Sequence, residues 1–209
     1  MSPRMRKRVL RNLAALLLAA SSAAGQAHMP PAKAPSQTIV IPAGKEKQAE
    51  MEATEAGAVH RELTKRAGVY STRSRFIAQP GAQAEESAGT AVISMVLGGR
   101  FLLEEIVGGM MGQAFQGIRL WGYNSQSMQY ETVWTYTLST AMLMLAGTSS
   151  DAGKTVTYGA AVEDAKGAKQ VLTVVTRQMD DEQFIVEMKR RAADGKEGAS
   201  LVTTYTRKK

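Results

Sequence analysis

The chain has 209 residues, is 44% hydrophobic and 22% charged, and contains no cysteine. That composition suits one globular domain with a sizeable core, and the lack of cysteine excludes disulfides, thiolate metal sites, a cysteine nucleophile and an N-terminal lipid-modified cysteine. The formal charge of +7 is no nucleic-acid footprint, because residues 1–27 hold five cations and no acid, leaving 21 Lys and Arg against 19 Asp and Glu in the rest.

Residues 1–27 read as a cleavable signal peptide. Met1–Arg11 is cationic, Leu13–Ala24 is a short apolar run, and Gly25-Gln26-Ala27 offers a small-x-small cleavage signal. A membrane span needs about 20 apolar residues, more than this run supplies. The expectation is a protein exported to the periplasm or beyond, soluble once processed, with no stable membrane anchor. Residues 28–44 hold four of the six prolines and read as a flexible linker. Residues 45–67, rich in Ala, Glu and Lys, read as a helix with a thin apolar face, weakened in its middle by Gly57 and packed lightly over one end of the domain.

From Gly68 the texture changes. Short stretches of Val, Thr, Ile, Tyr and Phe alternate with Gly, Asp, Asn and Ser clusters at near ten-residue intervals, an all-β signature. Strands are expected near 68–77, 88–97, 100–107, 113–123, 128–136, 140–147, 154–163, 168–177, 182–191 and 199–207. Gly98-Gly99 reads as a two-residue hairpin turn. About ten strands joined by short hairpins predict an up-and-down antiparallel barrel over residues 68–209, whose closure removes exposed edges. A two-sheet sandwich is the alternative, although sandwiches usually need longer crossovers.

The residues Gly98-Gly99-Arg100-Phe101-Leu102, Gly112, Phe115, Gly117, Gly122-Tyr123-Asn124, Trp134, Ser139-Thr140, Gly147 and Tyr205-Thr206-Arg207, taken in order, resemble the bacterial family called domain of unknown function 1579. The resemblance runs from about Leu63 to the C-terminus. It implies a lipocalin-like, calycin-type barrel, often exported, without an established activity. The family pattern commonly has Asp where this chain has Asn124 and Tyr136, so no role resting on those carboxylates carries over.

The hairpin of strands 113–123 and 128–136 holds the candidate site. With a loop at 124–127, Trp121 would face Tyr130, Arg119 would face Thr132, Gly117 would face Trp134 and Phe115 would face Tyr136. Period-two alternation then puts Phe115, Arg119, Trp121, Tyr123, Tyr130, Trp134 and Tyr136 on one inward face. These seven are the candidate barrel lining. Read plainly, they are core, with Arg119 satisfied by a neighbouring carboxylate or tyrosine. Read more sharply, they wall a cavity for a small apolar or amphipathic ligand, with Arg119 pairing an acceptor on it.

Other motifs carry less. Glu104 and Glu105 are adjacent in a strand and point to opposite faces, so they cannot share a substrate; one of them can pair with an inward Arg. Asp180-Asp181-Glu182 lacks the alternating oxygen spacing of a calcium loop. Residues 147–155 have five residues between glycines where a phosphate loop needs four, and read as a hairpin loop. Only His28 and His60 exist, neither on a barrel strand, which argues against haem or zinc inside it. The methionines suit a core better than a copper site. No acid, base and nucleophile set can be assembled, so no cofactor, metal or catalytic residue is expected. Two readings stand: a non-catalytic ligand-binding barrel, or an envelope interaction protein with a filled barrel. An enzyme ranks third.

Overall fold

The computed structural model describes residues 55–163 and 167–209. The expected signal peptide, linker and first part of the helix fall in residues 1–54, outside the described residues, as does the short stretch 164–166. Among the described residues ten strands follow one helix: β1 (Gly68–Ile77), β2 (Glu85–Val96), β3 (Phe101–Met110), β4 (Gln113–Asn124), β5 (Gln129–Tyr136), β6 (Leu143–Thr148), β7 (Thr155–Glu163), β8 (Lys169–Gln178), β9 (Gln183–Ala192) and β10 (Glu197–Arg207). Each pairs antiparallel with its neighbours in sequence, and β1 pairs with β10 to close the barrel. The expected up-and-down barrel is therefore correct and the sandwich is not. The strand ends lie within three residues of those read from the sequence.

Closure is written in the alternation of side chains. Tyr70, Ala91, Leu102, Trp121, Trp134, Leu172, Val174, Phe184, Met188 and Tyr205 all point inward and are almost wholly buried, one face of every strand filling a common core. Phe184 and Tyr205 stack at 4.2 Å between ring centroids, and Tyr70 meets Phe184 edge-on at 5.3 Å.

The helix α1 spans Ala58–Thr64 and is shorter than expected among the described residues. Gly57 does not weaken its middle; it is the N-cap, in extended conformation, and its N–H is accepted by Nδ1 of His60 at 3.0 Å. With Nδ1 accepting, Nε2 carries the hydrogen and donates to the Tyr123 carbonyl at 3.1 Å. His60, Leu63 and Arg66 are all buried, so this element plugs one end of the barrel rather than resting lightly on it.

Two turns differ from expectation. Val96 pairs with Phe101, so the turn at Gly98-Gly99 has four residues, 97–100, with Leu97, Gly98 and Gly99 all at positive φ (52°, 67° and 80°). In the β4–β5 hairpin, Asn124 pairs with Gln129 and the loop is 125–128. The Asn124 side-chain oxygen accepts the N–H groups of Gln126 and Ser127, and Met128 takes the left-handed conformation at φ 54°. These fix the turn one residue later than expected and slide the register by two. Arg119 thus faces Trp134, Trp121 faces Thr132, Tyr123 faces Tyr130 and Gly117 faces Tyr136. A slip of two leaves every side chain on its original face.

The outer surface carries an apolar row. Leu103, Leu120, Val133 and Met144 follow one another across β3, β4, β5 and β6. The Phe101 ring lies over Gly122 beside them, closer than any side chain there would allow. A shallow outer groove of about 370 Å³ runs along this face.

Candidate functional site

The structure brings all seven candidate residues to the interior. Phe115, Arg119, Trp121, Tyr130, Trp134 and Tyr136 are buried, and Tyr123 is half-buried under α1. They form two groups rather than one wall. Phe115, Trp134 and Tyr136 cluster away from the helix, with centroids 6.1 Å apart for Phe115–Tyr136 and 5.0 Å for Trp134–Tyr136. Tyr123 and Tyr130 pair edge-on at 5.1 Å beneath the helix.

Arg119 joins the groups. Its guanidinium lies 4.5 Å from the Trp134 ring centroid and 5.3 Å from that of Trp121, a cation held against two indoles. Its counter-charge is Glu104, on the neighbouring β3 and 1% exposed, with Oε2 3.6 Å from Arg119 Nε. Glu105 points outward to solvent, as alternation requires. The Tyr205 hydroxyl donates to Glu104 Oε1 at 2.6 Å. Burial pushes that phenol well above its ordinary pKa, and the adjacent carboxylate pushes the same way. Tyr136 and Tyr158 are each pushed up to about 12, chiefly by burial.

Arg66 is the cation sequence reading missed. It lies just past α1 and enters the barrel mouth, where Nε donates to Gln178 Oε1 at 3.2 Å and Nη2 to the Gly153 carbonyl at 3.0 Å. Its guanidinium also sits 5.6 Å from the Trp121 ring centroid and 5.7 Å from that of Phe184. Burial lowers its pKa, and Tyr158, Tyr130, Tyr70 and Asp151 nearby offset that loss of water only in part. The sequence signal was slight: one Arg between a helix and a strand has no period to mark it as inward.

Four buried polar atoms in this cluster have no hydrogen-bond partner among the described residues: Glu104 Oε2, Trp121 Nε1, Thr132 Oγ1 and Trp134 Nε1. Three of their residues, Trp121, Thr132 and Trp134, line two voids. One, of about 20 Å³, lies among Thr72, Gly89, Gly108, Phe115, Arg119 and Tyr205; the other, of about 10 Å³, lies among Trp121, Thr132, Trp134, Leu145 and Tyr158. Each is about the size of one water site. Gly89 and Gly108 line the larger void; Gly117 is covered by the Trp134 indole, whose Nε1 is 3.1 Å from where a Cβ would stand. The ring–glycine contact expected from sequence exists, made diagonally rather than directly across the ladder.

The remaining motifs are structural. In the 148–155 loop, Asp151 accepts from the Thr155 N–H and the Ser149 hydroxyl, which hold its carboxyl below the usual range. Asp180 accepts the Glu182 N–H in a tight turn. No group of three or more potential metal ligands occurs among the described residues. No helix among them is long and apolar enough to cross a membrane.

Fold and interior together define a small calycin-like barrel: ten antiparallel strands, one end plugged by a helix, and a buried Arg–Glu–Tyr cluster at the centre. The chain belongs to the family described as protein of unknown function DUF1579, which it matches over residues 55–207. Among solved structures it is similar to Rv2717c from M. tuberculosis, at 12% identity and TM-score 0.51, covering 74% of this chain and 100% of that one. It is also similar to the S-type phycobiliprotein lyase of Guillardia theta, at 11% identity and TM-score 0.49, covering 77% of this chain and 97% of that one. At such identity the Rv2717c likeness bears on the fold alone. No curated protein matches.

Proposed function

We propose that the chain is an exported, non-catalytic barrel that takes a small amphipathic molecule into its interior, with the ligand's polar group meeting Arg119, Glu104 and the indole N–H groups. The observation that carries this reading is the set of buried atoms without a hydrogen bond at the two voids, Trp121 Nε1, Thr132 Oγ1 and Trp134 Nε1. Each such atom costs about 1–3 kcal/mol in a packed core, and folded proteins keep few of them without a reason. Because Glu104 already faces Arg119, the fitting polar group is neutral, a hydroxyl or carbonyl, rather than the carboxylate that an unpaired Arg119 would select. The glycine-lined void around Gly89 and Gly108 receives the apolar part.

Each void is about the size of one water, so binding requires rings such as Phe115 or Trp134 to move. The same tight packing, with the outer row Leu103–Leu120–Val133–Met144, favours the second reading: a filled barrel whose outer surface meets a partner in the cell envelope. Titration of tryptophan fluorescence separates the two, since Trp121 and Trp134 are the only tryptophans in the chain. Saturable change with long-chain alcohols or sterols, stronger than with the matching fatty acids, supports the ligand reading. No saturable change across that panel leaves the filled barrel.

A further inference from the structure

We infer that the barrel opens through its side, between β6 and β7, and that this seam is the route to the central polar cluster. As a ligand route it rests on the ligand-binding reading above; as an opening it stands alone.

The seam is the weakest join in the barrel. β6 and β7 are held by three paired positions, Ala146–Gly159, Gly147–Tyr158 and Thr148–Thr157. β5 and β6 share five, and every other neighbouring pair shares at least eight. All three lie toward the helix-plugged end. Beyond Ala146 and Gly159 the strands continue, β6 through Leu145 to Leu143 and β7 through Ala160 to Glu163, without pairing to each other. That half of β7 bonds only to β8, through Ala160–Leu172, Ala161–Val171 and Val162–Gln170. Backbone pairing is what resists separation of two strands, and here it is missing over half the shared length.

The side chains lining the gap do little to lock it. β7 offers Gly159, Ala160 and Ala161 in a row, too small to interdigitate with β6. On the outer lip Met142 and Met144 are 64% and 69% exposed, flexible apolar side chains at the edge of the apolar row. Directly behind the seam, Leu145 and Tyr158 line the void that also touches Arg119, Trp121, Thr132 and Trp134. Among the described residues both ends are closed by buried side chains. At one, His60, Leu63 and Arg66 are buried beneath α1; at the other, Met110, Phe115, Tyr136 and Leu201 close the interior. A molecule passing between β6 and β7 reaches the unpartnered atoms without unfolding either end.

The test staples the seam. Extending the register from Ala146–Gly159 sets Met144 opposite Ala161, both pointing outward and exposed. The chain has no cysteine, so Met144→Cys with Ala161→Cys gives one defined cross-link in the full-length protein. A control pair, Val171→Cys with Arg191→Cys, staples the well-paired β8–β9 ladder. Acrylamide quenching of Trp121 and Trp134 reads access to the interior without any ligand. Oxidising the β6–β7 staple is expected to lower the quenching rate constant at least threefold, with recovery on reduction and no such change in the control. Equal quenching in the oxidised and reduced forms, or an equal fall in the control, overturns the side opening. Amide exchange in the unmodified protein is the second measure. Those amides of Ala160 to Val162 that face β6 rather than β8 should exchange at least tenfold faster than paired positions of β8 and β9, and equal protection overturns the opening whether or not the staple forms. A staple that excludes acrylamide in a protein that binds nothing from the panel keeps the opening and removes only its use as a ligand route.

Discussion

Tyr205, on the last strand, hydrogen-bonds Glu104, 101 residues earlier, at 2.6 Å in the centre of the barrel. Glu104 in turn faces Arg119 at 3.6 Å. The three residues come from β10, β3 and β4, so the contact exists only when the barrel is closed. Removing one partner strands the other in a place without water. Glu104→Ala should therefore destabilise the fold by about 3–5 kcal/mol in chemical denaturation. Replacing both charges with apolar residues of like size, Glu104→Leu with Arg119→Met, should cost clearly less than Glu104→Ala alone. A double variant as unstable as the single would show that the pair contributes more than mutual neutralisation.

The buried tyrosines set an alkaline limit. Burial raises Tyr136 and Tyr158 to about 12 and Tyr205 well above its ordinary value. The folded state holds these protons more tightly than the unfolded chain, whose phenols ionise near 10. Stability is thus complete below pH 10 and falls as pH rises toward 12, by about 1.4 kcal/mol per pH unit for each such tyrosine. The tyrosinate absorbance near 295 nm should rise for these groups only together with unfolding. A smooth titration near pH 10 by every tyrosine, with the fold intact, would contradict the burial described.

Arg66 ties α1 to the barrel mouth through Gln178 and the Gly153 carbonyl. Arg66→Ala should cost about 2–3 kcal/mol, the loss of charge-assisted bonds with acceptors left behind. It should also speed amide exchange in Ala58–Thr64 more than in β8 and β9. Unchanged exchange in the helix would mean that His60 and Leu63 alone hold the plug.

Export remains a reading of the N-terminus. Expressed in a bacterium with intact secretion, the protein should appear outside the cytoplasm about 27 residues shorter, that length being set by the small-x-small signal at Ala27. N-terminal sequencing that returns Met1 or Ser2 from a membrane fraction would refute it.

Strand number, order and facing were legible because period two and turn residues are local signals. The inward set from Phe115 to Tyr136 was legible for the same reason, and it survived a register slip because the slip was even. The slip itself was hidden: nothing in Asn124 to Met128 announces that Met128 will take positive φ in place of Asn or Gly. That one of Glu104 and Glu105 can meet an inward Arg was legible, but not which one, nor its pairing with Arg119 and Tyr205, since pairing across β3, β4 and β10 is a property of closure. Arg66 and the tight interior were beyond reach. Strand count bounds the diameter of a barrel, whereas how full it is depends on ring orientations that no pattern encodes.

The pairing of Tyr70 with Arg207 has a consequence in time. During synthesis the first strand leaves the ribosome long before its partner, so no intermediate chain length can close the ring. Until Arg207 emerges to donate to the Ala67 and Lys65 carbonyls, β1 keeps one naked edge and Glu104 lacks Tyr205. Closure of the ring therefore waits for β10. A chain still short of β10 keeps an open ring, however well its earlier strands pair. The closing strand acts, in effect, as a timer.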